Sequence, residues 1–325
     1  MSEVRTAPDD VRLIEARIAE VVGASDPIVS RYVAEVVGSG GKRLRPRLVV
    51  EFGRMFSAPD FDHVLDCAAA CELLHTATLI HDDVIDQAEF RRGAPTLSRT
   101  YGNELAVTVG DYLLARLFAH LAACEDARPL RLVLRSSQRL GLGAVTETTN
   151  RDNFAMTEDE YQNIIRLKTA ELFSVCCELG AILGNASAEQ AGVARAFGEH
   201  FGVAFQMADD LLDVLASSAD TGKPAFLDVR EGRITLPIIH AVKRLGAEAV
   251  GLVKAVRETD SNAAEQALAE KLRECGSPAY VAERIQAEMD VALTALDRLP
   301  GPPETHDAVR WMCDAVGTMV ARMQG

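Results

Sequence analysis

Apolar residues recur at helical spacing along nearly the whole chain. Val11, Leu13, Ile14, Ile18, Val21 and Val22 form one face behind Pro8-Asp9-Asp10, which predicts a helix start. Asp26-Pro27 reads as a cap with proline in the first turn, and Ile28, Val29, Tyr32, Val33 and Val36 follow on one face. Gly38, Gly40 and Gly41 end that helix, and another runs from about Pro46 to Met55. From roughly Asp62 to Ile85 the chain is apolar almost all round, with Ala68, Ala69, Ala70, Leu73, Leu74 and Ala77, the pattern of a buried helix. Gly93-Ala94-Pro95 marks a loop. Further helices are predicted over about 103–123, 128–149, 157–183 and 188–215, the third opened by a capping box from Thr157 to Glu160. Residues 216–233, with Gly222, Pro224 and Gly232, form a connection, and the tail again reads helical, with Ser277-Pro278 as a cap and first turn. No alternating run is long enough for a sheet, and no repeat of about 20–50 residues is present. The expectation is all-α: a single domain over 1–325, a bundle of helices around a central core.

Composition narrows the chemistry. The 325 residues are 48% apolar and 25% charged, too apolar for a disordered chain. Lys and Arg number 34 against 48 Asp and Glu, a net charge of −14 that argues against nucleic acid as a partner. A local cluster of cations can still hold an anionic substrate against that global sign. The first ten residues lack the basic start and apolar core of a signal peptide, and no uninterrupted apolar run reaches the ~18 residues of a membrane span. Seven cysteines occur without a CxxC. Cys67 and Cys71 stand one turn apart in an apolar run and read as small buried residues of a reducing compartment rather than a zinc pair, so the expected location is cytoplasmic.

Two acidic segments break the apolar pattern. His81-Asp82-Asp83-Val84-Ile85-Asp86 and Gln206-Met207-Ala208-Asp209-Asp210-Leu211-Leu212-Asp213 both place Asp at i, i+1 and i+4. On a helix, i and i+4 share a face, so each segment crowds like charges on one turn at a cost. One such turn could be a solvated surface or an unusual cap. Two copies with the same spacing, each beside strongly apolar sequence, point to an oxygen-rich cage for Mg²⁺, which binds carboxylates together with substrate phosphates. That chemistry predicts a diphosphate substrate.

The basic residues agree. Gly40-Gly41-Lys42-Arg43-Leu44-Arg45-Pro46 is a flexible basic loop that enters a helix N-terminus, a favourable place for an anion. Arg91-Arg92 follows the first acidic cluster, Lys168 interrupts the stripe Ile164, Leu172, Val175, Leu179, and Lys223 lies in the loop after the second cluster. His75 lies one to two turns before Asp82; alone it reads as a satisfied core histidine, just as Lys168 alone reads as a side chain snorkelling to solvent.

Six segments in order, GGKRLRP (40–46), LIHDDVIDQAEFRRGAPT (79–96), GDYLLA (110–115), KTAELF (168–173), FQMADDLLD (205–213) and GKPAFLDVREGRITLP (222–237), resemble the trans-isoprenyl diphosphate synthases, the polyprenyl synthetase family. The resemblance implies an isoprenoid-synthase bundle of mostly antiparallel helices around a central cavity, a homodimer, and Mg²⁺ held by Asp82, Asp83, Asp86, Asp209, Asp210 and Asp213. It implies that Arg91, Lys168, Thr169, Gln206 and Lys223 contact an allylic prenyl diphosphate. Lys42, Arg45, His75 and Arg92 are implied to hold isopentenyl diphosphate, and Arg233 to help close the site. Glu147 departs from the family, which often has Gln there. The residues five and four before the first motif, Ala77 and Thr78, correspond to the floor of the product cavity, and both are small. A long-chain product for a quinone tail follows, with octaprenyl the single choice and heptaprenyl and hexaprenyl close. The alternatives are a short-chain geranylgeranyl or farnesyl diphosphate synthase and a non-catalytic regulatory subunit. A class I terpene cyclase would usually carry an Asn/Asp-Ser/Thr-Glu motif where Asp209–Asp213 stands.

Overall fold

The structure is a computed structural model that describes residues 8–23, 27–38, 41–215, 226–259 and 261–324. Asp26, Gly40, Gly222, Lys223 and Pro224 of the sequence reading lie outside the described residues. The elements in order are α1 (Pro8–Gly23), α2 (Pro27–Val37), α3 (Leu44–Met55), α4 (Phe61–Ile85), β1 (Phe90–Arg91), β2 (Ala94–Pro95), α5 (Leu97–Tyr101), α6 (Asn103–Ala122) and α7 (Arg128–Thr149). Next come α8 (Glu158–Ile165), a π-helical segment (Arg166–Ala170), α9 (Glu171–Leu183), α10 (Ala188–Leu215) and α11 (Leu227–Arg230). The chain finishes with α12 (Leu236–Leu245), α13 (Ala247–Glu258), α14 (Asn262–Glu274), α15 (Ser277–Asp297) and α16 (Pro303–Gln324).

The fold is all-α, and the boundaries follow local chemistry. Asp60 caps α4 by accepting a hydrogen bond from the His63 amide at 3.1 Å. Thr157 and Glu160 form the expected capping box at α8. The structure departs from the sequence reading in four places. Residues 97–101 and 227–230 form the short helices α5 and α11. The loop around Gly93 is a two-residue antiparallel ladder, β1 with β2. The single helix expected over 157–183 is interrupted by the π-helical turn at Arg166–Ala170. A π turn adds one residue to a helical turn and leaves the apolar stripe on both sides intact, so periodicity does not reveal it.

The residues group into two compact units. The first draws on Met1–Gln138, Leu172–Gly198 and Leu296–Arg310. Its axis is α4, against which α1, α3 and α6 pack. Burial of α4 on almost every side is possible because Ala68, Ala69, Ala70 and Ala77 keep it narrow, while Leu73 and Leu74 fill the space between helices. The Phe52 and Phe197 rings meet in the same core, 5.5 Å apart. By length and composition, α6 is the one helix among the described residues that could cross a membrane. Here Ala106, Val109, Leu113, Leu117 and Leu121 are buried, the stripe expected of a helix lying on a core.

The second unit draws on Arg139–Glu171, Glu199–Ala295 and Trp311–Gly325. Within it α12, α13 and α14 pack on one another, around a core that includes Phe201, Leu211, Val229, Leu236, Ile238, Val253 and Leu272. All seven cysteines are free; Cys67, Cys71, Cys176, Cys177 and Cys313 are buried.

Candidate active site

The first acidic cluster sits where α4 ends. Asp82 and Asp83 lie in the last turn, and Asp86 is the C-cap, its amide donating to the Asp82 carbonyl at 2.8 Å. A helix C-terminus carries unsatisfied carbonyls and the negative end of the helix dipole. Three carboxylates at that end could hold a cation. The three do not play one part. Asp83 is buried, and its Oδ1 accepts from Arg91 Nε at 2.7 Å. Burial pushes the Asp83 carboxyl above its usual range while Arg91 opposes that shift. Asp82 and Asp86 are only partly buried and suit direct contact with a cation.

A basic group assembles beside the start of α3. Gly41 has φ +145, a backbone conformation that side chains rarely adopt, and a Cβ there would stand 2.8 Å from Arg92 Nη1. Glycine therefore lets the Arg92 guanidinium lie against the loop. Arg45 Nη1 is 3.2 Å from His75 Nε2, and its guanidinium lies 4.2 Å from the centre of the Phe173 ring. Arginine has no acceptor, so His75 Nε2 bears the lone pair and Nδ1 the proton. Burial first, and then Arg45, Arg92, Arg91 and Arg43, hold the His75 pKa well below its usual value. Neutral His75 thus acts as a hydrogen-bonding partner among arginines. Lys42 is exposed at the rim of this group.

Arg43, in the same motif, points the other way. It is buried, donates to Glu72 Oε1 at 2.7 Å and to the Val37 carbonyl at 2.6 Å, and has Glu15 at 3.4 Å. It anchors the basic loop rather than presenting charge to a ligand.

The second acidic cluster lies on α10, and again its middle carboxylate is buried. Asp210 accepts from Tyr161 Oη at 2.6 Å and from Gln206 Nε2 at 2.7 Å. Gln206 Oε1 in turn accepts from Thr169 Oγ1 at 2.7 Å. The π-helical segment thereby connects to the aspartate through a two-bond relay. Burial and the neighbouring Asp228 push Asp210 well above the carboxylate range, and the same causes raise Asp213 to about 8. Asp213 spends its oxygens on backbone amides: Oδ1 accepts from Leu227 N at 2.9 Å and Oδ2 from Asp228 N at 3.1 Å, which caps α11. Asp209 is exposed.

Lys168 and Thr169 are both carried by the π-helical turn, a distortion that often marks functional sites. A Cβ on Gly143 would stand 2.7 Å from the Lys168 amide, so glycine lets α7 approach that turn. The Lys168 ammonium pairs with Glu147. This is the charge that a carboxylate at 147 needs in order to be tolerated. Arg233 donates to Asp228 at 2.8 Å and also pairs with Glu231.

The first unit therefore brings together Asp82, Asp83, Asp86, Arg91, Arg92, Arg45 and His75. The second brings together Lys168, Thr169, Gln206, Asp209, Asp210, Asp213 and Arg233. Tyr161, Asp228 and Arg43 are functional neighbours that the motifs did not single out. Tyr161 sits at an apolar-stripe position, where only its contact with Asp210 distinguishes it from a core aromatic. In α4, Ala77 is fully buried and Thr78 donates to the His75 carbonyl at 2.8 Å. The accessible donor set, carboxylate oxygens without nitrogen or sulfur, fits a hard cation such as Mg²⁺ or Ca²⁺.

The sequence model of the family described as Polyprenyl synthetase matches residues 26–273. The octaprenyl diphosphate synthase of Escherichia coli (strain K12) is 31% identical over 295 residues, 90% of this chain and 91% of the relative. The all-trans-nonaprenyl-diphosphate synthase (geranyl-diphosphate specific) of Rhodobacter capsulatus is 33% identical over 291 residues, 90% of this chain and 89% of the relative. Among solved structures, the polyprenyl synthase of Caulobacter crescentus CB15, complexed with calcium and isoprenyl diphosphate, superposes with a TM-score of 0.89 at 31% identity, covering 98% of this chain and 97% of that one. With paired aspartate turns, an arginine-histidine group and this likeness over nearly its full length, the chain belongs to the polyprenyl synthetase family and is a trans-prenyltransferase.

Proposed function

We propose that the enzyme adds isopentenyl diphosphate units to an allylic diphosphate such as farnesyl diphosphate, with Mg²⁺, to make an all-trans octaprenyl diphosphate for a quinone side chain. The observation that carries this reading is the presence of two kinds of diphosphate site in one chain. Carboxylate turns require a metal to bring an anion near. The group of Arg45, His75 and Arg92 with Lys42 at its rim binds an anion directly.

In this reading Asp82, Asp86 and Asp209 are the chief ligands of Mg²⁺, and Asp83, Asp210 and Asp213 hold their turns in place. Bound Mg²⁺ supplies Lewis-acid stabilisation of the departing allylic diphosphate. Lys168 and Lys223 add positive charge on the allylic side, while Arg91 braces Asp83. Arg45, His75 and Arg92 orient isopentenyl diphosphate so that its double bond meets the allylic carbon. The apolar surface of α4 excludes water from the carbocation. Arg233, tied to Asp228 and Glu231, steadies the segment that follows the second cluster. We read residues 1–325 as one catalytic domain, a reading that the unbroken family match over 26–273 supports. Exposed Val107, Leu134, Leu142 and Val145 favour a homodimer, and seven free cysteines favour the cytoplasm.

The test is product analysis after incubation of the purified protein with Mg²⁺, farnesyl diphosphate and labelled isopentenyl diphosphate. Chains of about eight isoprene units support the reading. Products no longer than four units assign it to the short-chain class, a cyclised product makes it a cyclase, and no condensation makes it a regulatory subunit.

Length control provides a sharper check. Ala77 lies five residues before Asp82, more than one turn below the metal ligands at ~3.6 residues per turn. Ala77→Phe is expected to shorten the main product to about four units or fewer, because a packed interior yields little to added volume. A variant with an unchanged melting temperature and an unchanged product removes Ala77 from the channel.

Glu147 is expected to weaken the allylic site, because a diphosphate must displace its carboxylate from Lys168. Glu147→Gln should therefore lower the apparent KM for the allylic substrate roughly fivefold, the equivalent of about 1 kcal/mol. An unchanged or higher KM means that Lys168 does not serve that diphosphate.

A further inference from the structure

A second set of metal-ligating side chains meets in the first unit, away from the aspartate turns. His63 lies in the first turn of α4, Asp66 follows at i+3 on the same helix, and Cys124 stands just past the end of α6. One ligand atom from each lies within 4.8 Å of the other two. The three are neither surface decoration nor fully buried packing: each is partly buried.

Two features point to a ligand. His63 Nε2 is shut off from solvent and has no hydrogen-bond partner. An orphaned buried polar atom of this kind is destabilising, and a metal bond removes that penalty. Asp66 is also oriented like a ligand. Its Oδ1 accepts from Arg17 Nη1 at 2.6 Å and lies 3.1 Å from His120 Nε2, which fixes the carboxylate plane from one side. The Cys124 thiol makes only a long contact with the His120 carbonyl, at 3.6 Å.

We propose that His63, Asp66 and Cys124 form a zinc site that pins the start of α4 to the end of α6. His63 Nε2, Asp66 Oδ2 and the Cys124 thiolate are the three protein ligands, and water fills the fourth position. One nitrogen, one oxygen and one sulfur suit Zn²⁺ and disfavour Mg²⁺, which takes oxygen. Loading exchanges the Cys124 proton for the metal and releases that proton to solvent. The Asp66 and Cys124 anions then balance the ion's charge. Tetrahedral bonds of the usual zinc lengths put ligand atoms about 3.3–3.8 Å apart, so the side chains close by up to about 1.5 Å.

The site is separate from the catalytic one. Asp66 and Asp82 are sixteen residues apart on one helix, about 24 Å at 1.5 Å per residue. Metal at this end of α4 acts on the stability of the helix that carries Asp82 and Asp86, not on the diphosphates.

Cobalt is the probe, because a cobalt-thiolate bond gives a charge-transfer absorption that oxygen ligands cannot. The full-length protein, freed of metal with chelator, should develop this band with one Co²⁺ per chain and lose it when Zn²⁺ is added, but keep it in excess Mg²⁺. Cys124→Ser should abolish the band, and His63→Ala should weaken Co²⁺ binding at least tenfold. Cys67→Ser, which alters the thiol next to Asp66 in sequence, should leave the band unchanged, as should Asp82→Asn with Asp209→Asn. Zn²⁺ should raise the melting temperature of the wild type and not that of Cys124→Ser. No charge-transfer band in the wild type, or a band that survives Cys124→Ser, overturns the proposal. A band lost in Cys67→Ser but kept in Cys124→Ser overturns the ligand set.

Discussion

Alanine at Asp82 or Asp209 is expected to lower turnover by about 10²–10³-fold or more while the protein stays folded. These two residues open their acidic turns, and neither is the buried member. On the proposed reading, their removal deletes a cation ligand. Alanine at the buried positions should behave differently. Asp210→Ala leaves Tyr161 Oη and Gln206 Nε2 without their acceptor, a loss of about 1–3 kcal/mol of stability. Asp83→Ala likewise strands Arg91. Turnover at saturating Mg²⁺, measured beside thermal unfolding, separates the two classes. Near-normal turnover in Asp82→Ala or Asp209→Ala defeats the assignment of these carboxylates to the metal.

The largest effect on stability is expected at Arg43. The Arg43 and Glu72 side chains are 3% and 5% exposed, and their ion pair is 2.7 Å long. Removal of one member of such a pair leaves a buried charge alone and costs about 3–5 kcal/mol. That is a large share of the roughly 5–15 kcal/mol that holds a domain together. Arg43→Ala should lower the denaturation midpoint accordingly, and Glu72→Gln in the same chain should recover part of the loss. Lys42→Ala, one residue earlier, should leave the midpoint unchanged, because that side chain is exposed. Equal midpoints for the two variants would show that Arg43 does not anchor the loop. The contrast matters for function, since Arg43 fixes the loop that carries Lys42 and leads into Arg45 at the start of α3.

The pattern of apolar positions located most of the long helices within a few residues, since each buries a stripe against its neighbours and that demand is written locally. It also located both acidic turns, because three carboxylates beside Leu, Ile and Val have no simple structural use. What periodicity missed was short or distorted: the β1–β2 ladder, α5, α11 and the π-helical turn under Lys168. These elements bury too little surface to leave a period of their own.

Within the site, the sequence by itself determined which residue types are present and at what spacing, and so the family and its metal-and-diphosphate chemistry. Only the tertiary structure decided what each one touches. Asp82 and Asp83 are adjacent and chemically identical, yet one is partly exposed and the other is buried on Arg91. Asp213 matches Asp86 in spacing but caps α11, and Glu147 is acceptable because Lys168 faces it. His63 and Asp66 share one helix face, and helix packing alone brings Cys124 to them. Spacing along a helix tells which side chains share a face. Which face meets solvent, a cation or a buried donor depends on partners contributed by distant segments, and that information exists only once the chain has folded.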